Sequence, residues 1–151
     1  MADYHVAFQG RAGINTANSP VASLWTATRK VRILEVGIFI QAVPTTAPLF
    51  ALQRATARGT ATTTLTPIAR DPADAAATAV LDTVWSANPT FSTANPQMRV
   101  GGVPNAIGNG IVWAFGPDAI EIAVGAGFTL FNINASGATL GSFAGYFSIM
   151  E

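Results

Sequence analysis

The chain has 151 residues, of which 50% are hydrophobic and only 11% are charged, and its eight basic and eight acidic side chains give a formal net charge of zero. This length suits a single domain with its own core, and the charge balance argues against nucleic acid or an anionic membrane as a partner. The absence of cysteine excludes disulfides and thiolate metal sites. Soluble domains usually carry about 25% charged residues, so we expect neighbouring subunits to cover part of this protein's surface.

The sequence predicts neither an export signal nor a membrane-spanning segment. A signal peptide has a basic start and an apolar run, whereas the first ten residues contain Asp3, Tyr4, His5 and Gln9. The longest apolar stretch, residues 31–40, is about half as long as a spanning helix.

The first part of the chain predicts strands separated by turns. Residues 1–20 are interpreted as an extended N-terminal arm with a short strand over 4–9, and residues 21–151 as a single β-sandwich domain. A second strand is predicted over 21–28. The clearest alternation lies in residues 31–41, where one face is formed by Leu34, Val36, Ile38 and Ile40.

The middle of the chain has weaker signals. Residues 49–55 and 59–66 predict a strand pair that turns near Arg58, and the threonines of the second segment favour a pleated sheet. Residues 71–79 are the one stretch with helical signals, because Asp71 can cap a first turn.

The last part of the chain again predicts strands. Residues 80–86 read as extended, and the glycine- and proline-rich residues 88–110 predict one long loop. Residues 111–124 predict a hairpin that turns at 116–118. Two more strands are predicted over 128–133 and 143–150, the second of them at a sheet edge. About eight antiparallel strands at this spacing predict an all-β fold, a two-sheet β-sandwich of jelly-roll type.

The sequence predicts no enzyme. His5 is the single histidine, which excludes a histidine metal cluster. Asp71 and Asp74 fit a helix cap better than a calcium loop. A carboxylate pair for glycoside cleavage could be drawn from Glu35, Asp82, Asp118 and Glu121. Glu35 and Glu121 each lie opposite an apolar strand face, which favours solvated carboxylates instead, so we predict no catalytic residue, no metal and no cofactor.

The tryptophans leave two interpretations. Trp25, Trp85 and Trp113 lie in or beside apolar alternations, which favours packing in the core or in a subunit interface over a stacking platform for sugars. The same core or interface role is predicted for Phe143 and Phe147.

Several segments resemble small structural proteins of tailed bacteriophages. The resemblance spans roughly residues 20–150. It is carried by Ala22-Ser23-Leu24-Trp25, by Lys30-Val31-Arg32-Ile33-Leu34-Glu35-Val36-Gly37-Ile38-Phe39, by Leu52-Gln53-Arg54-Ala55-Thr56 with Gly59, by Thr83-Val84-Trp85, and by Ile111-Val112-Trp113-Ala114-Phe115-Gly116 leading to Ile120.

This resemblance implies a capsid decoration protein, also called a cement protein. Such a protein is a jelly-roll domain, usually a homotrimer, that sits on the outer surface of the virion where major capsid proteins meet. It implies the major capsid protein as partner, neither nucleic acid nor membrane, and synthesis in the host cytoplasm. No catalytic residue comes with the family.

Either the N-terminal arm or the long loop is expected to reach the capsid, because neither has a pattern that packs it into the sandwich; the alternative for the long loop is an ordinary surface loop. The candidate contact residues are Tyr4, His5, Phe8, Phe91, Met98, Arg99 and Val103. The alternative function is a trimeric carbohydrate- or receptor-binding head of a phage tail fibre or spike, which would expose one or more of the three tryptophans.

Overall fold

The described part of the chain folds into β-strands and the turns that join them. The computed structural model describes residues 1–11, 19–91, 97–116, 119–133 and 141–151. Its strands are β1 (Asp3–Arg11), β2 (Ser19–Thr26), β3 (Val31–Ala42), β4 (Leu49–Ala57), β5 (Thr60–Leu65), β6 (Ile68–Ala69), β7 (Val80–Ala87), β8 (Thr90–Phe91), β9 (Arg99–Gly102), β10 (Gly110–Ala114), β11 (Ile120–Ile122), β12 (Ala126–Asn132) and β13 (Ser142–Met150).

The strands form two antiparallel sheets. The front sheet has the order β10-β3-β13-β1-β6. β10 pairs with residues 35–39 of β3, and β11 pairs with residues 31–33 of β3. The back sheet has the order β5-β7-β2-β12-β4-β8. β8 pairs with residues 55–57 of β4, and β9 pairs with residues 49–52 of β4. The sheets pack face to face, so the predicted β-sandwich is confirmed.

Eight of the strands follow the jelly-roll path. In the front sheet β1, β13, β3 and β10 are neighbours in that order, and in the back sheet β2, β12, β4 and β9 are neighbours in that order. Along the chain these strands alternate between the sheets, except that β4 and β9 both lie in the back sheet. This is the double-sheet connectivity of a jelly roll, as the patterning predicted.

The remaining back-sheet strands form a long ribbon. Ala57 at the end of β4 pairs with Thr90 of β8, and Thr60 at the start of β5 pairs with Ala87 of β7. Hence β4 continues into β5, β7 continues into β8, and these two long segments pair with each other. The ribbon starts beside β2, where Leu24 pairs with Leu81, and ends beside β12. It therefore links the two sides of the β2–β12 pair.

The core consists of alternate side chains from both sheets. In β13, Phe143, Phe147 and Ile149 are buried, and the polar residues between them are partly exposed. Phe143 meets Phe50 of the back sheet edge to face, with ring centres 5.2 Å apart. Because each such side chain contributes about 1.5–3 kcal/mol on burial, the inward faces of β3, β13, β2 and β12 hold the sheets together.

The N-terminal segment does not lie outside the sandwich as an arm. Residues 3–11 form β1, which pairs along most of its length with β13 and, at Tyr4 and His5, with β6. Its alternate residues Tyr4, Val6 and Phe8 are buried. The strand at 4–9 was predicted, but its partner lies some 140 residues away in sequence, and no local pattern identifies it.

Four other predictions were wrong. β13 lies between β3 and β1 and is not an edge strand. β4 and β5 do not pair with each other, since each pairs with a part of β7–β8. β10 and β11 pair with β3 rather than forming a hairpin, and residues 117–118 of the predicted turn lie outside the described residues. Residues 71–79 form turns, not a helix, with the Asp71 carboxylate accepting a bond from the Ala73 amide.

The long loop predicted over 88–110 contains two strands. β8 and β9 both lie in it and both pair with β4, while residues 92–96 are outside the described residues. β9 contains two glycines and has no apolar alternation, so it lacks the side-chain pattern of a strand. Its backbone pairing with Leu49, Phe50, Ala51 and Leu52 defines it instead.

The placement of β1 can be tested with two neighbouring residues. Val6→Asp is expected to lower the free energy of unfolding by at least about 3 kcal/mol, because the carboxylate would be buried without a partner. His5→Asp changes the exposed face of the same strand and is expected to cost less than about 1 kcal/mol. Denaturant unfolding measures both values. Equally small effects would show that residues 3–11 are not part of the sandwich.

Candidate interaction surfaces

The carboxylates considered for catalysis do not converge. Glu121 pairs with Lys30, Asp82 pairs with Arg58, and Glu35 accepts a hydrogen bond from the Tyr146 hydroxyl. Asp118 lies outside the described residues. Among the residues that are described, no three His, Cys, Asp or Glu side chains are grouped to hold a metal ion, and no helix could span a membrane.

Most charged side chains gather at one end of the sandwich. In the front sheet Met150 pairs with Arg32 on one side and with Asp3 on the other, which places the start of β3 and the start of β1 at the same end. We define the charged end by Asp3, Arg29, Lys30, Arg32, Arg54, Arg70, Asp71, Asp74 and Glu121.

Glu121 lies at the centre of these charges. Its carboxylate is 3.0 Å from Lys30 Nζ and 3.9 Å from Arg32 Nε, and its backbone oxygen accepts a bond from Arg54 Nη1 at 2.8 Å. The Lys30 hydrogen bond and charge lower the pKa of Glu121 below its ordinary value, with Arg32 and Arg54 adding to the effect. These groups are exposed, so they keep this end hydrated rather than holding the fold together.

The opposite end of the sandwich is formed by the loops at residues 41–49 and 102–110, which we call the uncharged end. These loops are neutral because the sequence has no charged residue in 36–53, 100–117 or 122–150. Two cations lie on strands that lead to this end: Arg11, which pairs with Phe143, and Arg99, which pairs with Leu52.

Arg11 directs its charge inward. Its Nε and Nη2 donate to the carbonyl oxygens of Val21 and Pro20 at 3.3 and 3.2 Å, and its guanidinium carbon lies 5.8 Å from the centre of the Trp85 ring. Burial lowers the pKa of Arg11 from its ordinary value. The guanidinium therefore serves internal contacts and leaves the surface of this end neutral.

The uncharged end presents apolar side chains on a tied backbone. Ile107 is 70% exposed and Val43 is 41% exposed. The Asn105 amide donates to the Pro44 carbonyl at 2.6 Å, the Val103 amide to the Pro48 carbonyl at 3.1 Å, and the Gly108 amide to the Ile40 carbonyl at 2.9 Å. Because the two loops are bonded to each other and to β3, a partner would bind them without having to order them.

The outer face of the front sheet carries two aromatic rings. Tyr146 of β13 covers Gly37 of β3, and Phe39 of β3 covers Gly110 of β10, so that a methyl group on either glycine would overlap the ring above it. The ring centres are 6.3 Å apart and the ring planes differ by 20°. We call these two rings the aromatic platform.

Tyr146 is held by its hydroxyl as well as by its ring. The hydroxyl donates to Glu35, two positions along β3 from Gly37. Burial raises the pKa of Tyr146 to about 12, and the bond to Glu35 contributes to this shift. The side chain is therefore neutral and fixed at ordinary pH.

The outer face of the back sheet carries buried polar side chains. Asp82 of β7 has no exposed side-chain surface and receives two bonds from Arg58, Nε to Oδ2 at 2.6 Å and Nη2 to Oδ1 at 2.8 Å. Ser23 and Thr129, in the neighbouring strands, share a hydrogen bond of 2.8 Å and are fully buried. The hydrogen bond with Asp82 is the main cause that raises the pKa of Arg58. The buried polar groups of this face are therefore paired with one another or with Arg58.

Three predicted capsid-contact residues are in the core, and that prediction was wrong for them. Tyr4, Phe8 and Val103 are buried, and the Tyr4 hydroxyl donates to the Ala75 carbonyl at 2.9 Å. They belong to strands or loops whose backbone pairing turns these side chains inward.

The other four predicted contact residues are wholly or partly accessible. His5 and Arg99 are exposed, with the Arg99 guanidinium 5.4 Å from the Phe115 ring centre. Phe91 is half-buried against Phe131, with ring centres 5.1 Å apart, and Met98 packs on the core. Ile107 and Val43, the exposed apolar residues of the uncharged end, were not among the predicted contact residues.

The predicted core or interface residues are mostly in the core. Trp113, Phe143 and Phe147 are buried between the sheets. Trp25 lies on the other face of the back sheet, over Gly127, and Trp85 lies beside Arg11. Because Trp113 and Trp25 are on opposite faces of their sheets, the tryptophans do not form one platform.

Comparisons with protein-family models, with curated proteins and with solved structures gave no match.

The buried Arg58–Asp82 ion pair predicts that replacing Arg58 lowers stability more than replacing Lys30 does. Arg58→Ala is expected to lower the free energy of unfolding by about 3 kcal/mol, because it leaves the Asp82 carboxylate buried without its counter-charge. Lys30→Ala removes a cation from an exposed pair and is expected to have little effect. Chemical denaturation of both variants tests this. If the two losses of unfolding free energy are equal, Asp82 is not a buried carboxylate that depends on Arg58.

Tyr146 predicts a stability change at alkaline pH. An unfolded tyrosine ionises near pH 10, whereas the folded Tyr146 stays neutral up to about pH 12. The stability that neutral Tyr146 contributes is therefore complete below about pH 10 and is lost between the two values. The unfolding free energy of the wild type minus that of Tyr146→Phe should fall across this window. A difference independent of pH would contradict the contact with Glu35.

Proposed function

We propose that this protein is a structural virion protein that decorates the outer surface of a tailed-phage capsid and stabilises it by bridging major capsid proteins. Two things support the proposal: the sequence resemblance over residues 20–150, and the separation of a charged end from an uncharged end. The second observation carries it. Exposed Ile107 and Val43 lie at an end whose two described loops contain no charged residue, and Arg11, which pairs with Phe143, turns its charge inward.

The uncharged end has the composition of a surface that stays covered. Permanent interfaces are more apolar than ordinary surface and contain few Lys, Glu and Asp side chains. The tied loops at 41–49 and 102–110 lose little freedom on binding. The charged end, with its exposed Lys30–Glu121 pair, suits the side that faces water.

Stabilisation of the shell would follow from linkage. A protein that binds the expanded lattice but not the unexpanded one favours the expanded lattice in proportion to its occupancy. A trimer that reaches several capsid subunits gains further occupancy through effective concentration. The formal net charge of zero suits contact with protein rather than with packaged DNA. No catalytic step is part of this function.

Co-sedimentation with empty shells tests the proposal. The shells are assembled from the major capsid protein encoded in the same genome, in expanded and unexpanded form. The wild-type chain is expected to sediment with expanded shells. Ile107→Asp and Val43→Asp should weaken this binding at least about tenfold, because each would place a carboxylate in an apolar contact.

Ile68→Asp is the matched control. Ile68 is 76% exposed, like Ile107, but it lies on β6 beside Arg70 of the charged end. Its change should leave binding unaltered. A wild-type chain that stays in the supernatant with expanded shells would refute the capsid role, and equal losses in all three variants would refute the role of the uncharged end.

A further inference from the structure

The aromatic platform has open ring faces. Each ring lies over a glycine of the adjacent strand, which lets it lie flat against the sheet instead of standing away from it. The 20° angle between the ring planes makes the two rings nearly parallel, and both side chains are only partly buried. Phe39 and Tyr146 each have one side of the ring against a glycine and can offer ring surface that faces away from the sheet to a ligand.

A groove runs along one side of this surface. It has a volume of about 350 Å³ and is lined by Ala7, Gln9 and Ala144 together with the two rings. It lies where the regular pairing of β1 with β13 breaks after Phe8. Small side chains at Ala7 and Ala144 keep the groove shallow, so a flat ligand can reach the ring faces.

The polar groups around the groove are neutral or already paired. Gln9 is exposed on the same face of β1 as Ala7. The Glu35 carboxylate on this face accepts the Tyr146 hydroxyl. Charged ligands would therefore find no counter-charge among the groove residues, whereas a neutral ligand with hydroxyl groups would find an amide and a phenol oxygen.

We propose that this groove binds a neutral saccharide, with the apolar face of a pyranose ring stacked on Phe39 and Tyr146 and its hydroxyl groups bonded to Gln9. Pyranose rings combine a flat face of C–H bonds with a rim of hydroxyls, and the electron-rich face of an aromatic ring attracts such C–H groups. The combination of apolar walls with a few polar groups is that of a small-molecule site. The site goes beyond the capsid role, because it lies on the front-sheet face and not on the loops of the uncharged end.

Nuclear magnetic resonance of the isotopically labelled chain tests the site directly. The amides of Gly37 and Gly110 lie beneath the two rings and report on ligand stacking. Cellohexaose, maltohexaose and N-acetylchitohexaose are the neutral probes, and a sialylated oligosaccharide is the acidic one. At least one neutral probe is expected to shift both amides at concentrations up to about 10 mM, tenfold above a weak 1 mM dissociation constant.

Two variants and one control separate stacking from loss of fold. Ala144→Arg would fill the groove from a partly exposed position, and Phe39→Leu keeps apolar bulk but removes a ring; each should weaken binding at least tenfold while the dispersed spectrum is retained. Ile68→Arg, outside the groove, should bind as the wild type does. Ala144→Arg should still sediment with capsid shells, and Ile107→Asp should still bind saccharide, so the two proposals fail separately.

Three results would overturn the saccharide site. The first is that none of the probes shifts the Gly37 and Gly110 amides. The second is that only the acidic probe does so. The third is that light scattering shows Ala144→Arg converting an oligomer of this chain into monomers, which would make the platform an interface between copies.

Discussion

The packing of two sheets through alternate side chains is the constraint on which the rest of this structure depends. β13 lies in the middle of the front sheet, and its buried Phe143, Phe147 and Ile149 meet the inward residues of the back sheet. Because side chains alternate strictly along a strand, the residues on either side of an inward-facing residue face outward. A charge can then lie on an outer face or in a loop, but not between the sheets. Asp82 is buried on the outer face of the back sheet and is paired there with Arg58.

The fold places most of the few charged residues at one end of the sandwich and neutral loops at the other. Long neutral stretches of sequence, 36–53, 100–117 and 122–150, supply the loops at one end of the sandwich as well as the strands β12 and β13. Most of the other charges meet at the charged end, around Glu121, whereas Arg58 and Asp82 pair with each other on the back sheet. A monomer in water would gain from charges distributed all round its surface. The observed polarity suits a molecule with one end against a partner and the other in solvent.

The sequence predicts those parts of the fold whose signals are local. The strand that became β3 was predicted almost to its ends, since its alternating residues Val36, Ile38 and Ile40 are close together in sequence. Pairing could not be predicted in the same way. β1 was interpreted as an arm because its partner β13 is at the other end of the chain, and β9 was missed because its glycines form a strand only through backbone bonds to β4.

The candidate surfaces were partly visible in the sequence. The neutral stretches are evident from the order of the residues alone, but their convergence at one end depends on the jelly-roll path. The aromatic platform depends on register, since Tyr146 covers Gly37 only because β13 and β3 pair at those positions. In the sequence, the tryptophans were the candidates for stacking on sugars, whereas the paired accessible rings of the front sheet are those of Phe39 and Tyr146.

Electron cryomicroscopy of expanded shells incubated with this chain is the most direct test of the account. The account predicts extra density on the outer surface, in which Ile107 and Val43 face the capsid and the Lys30–Glu121 pair faces solvent. Density with the opposite orientation, or shells that remain bare at saturating concentrations of the chain, would contradict it.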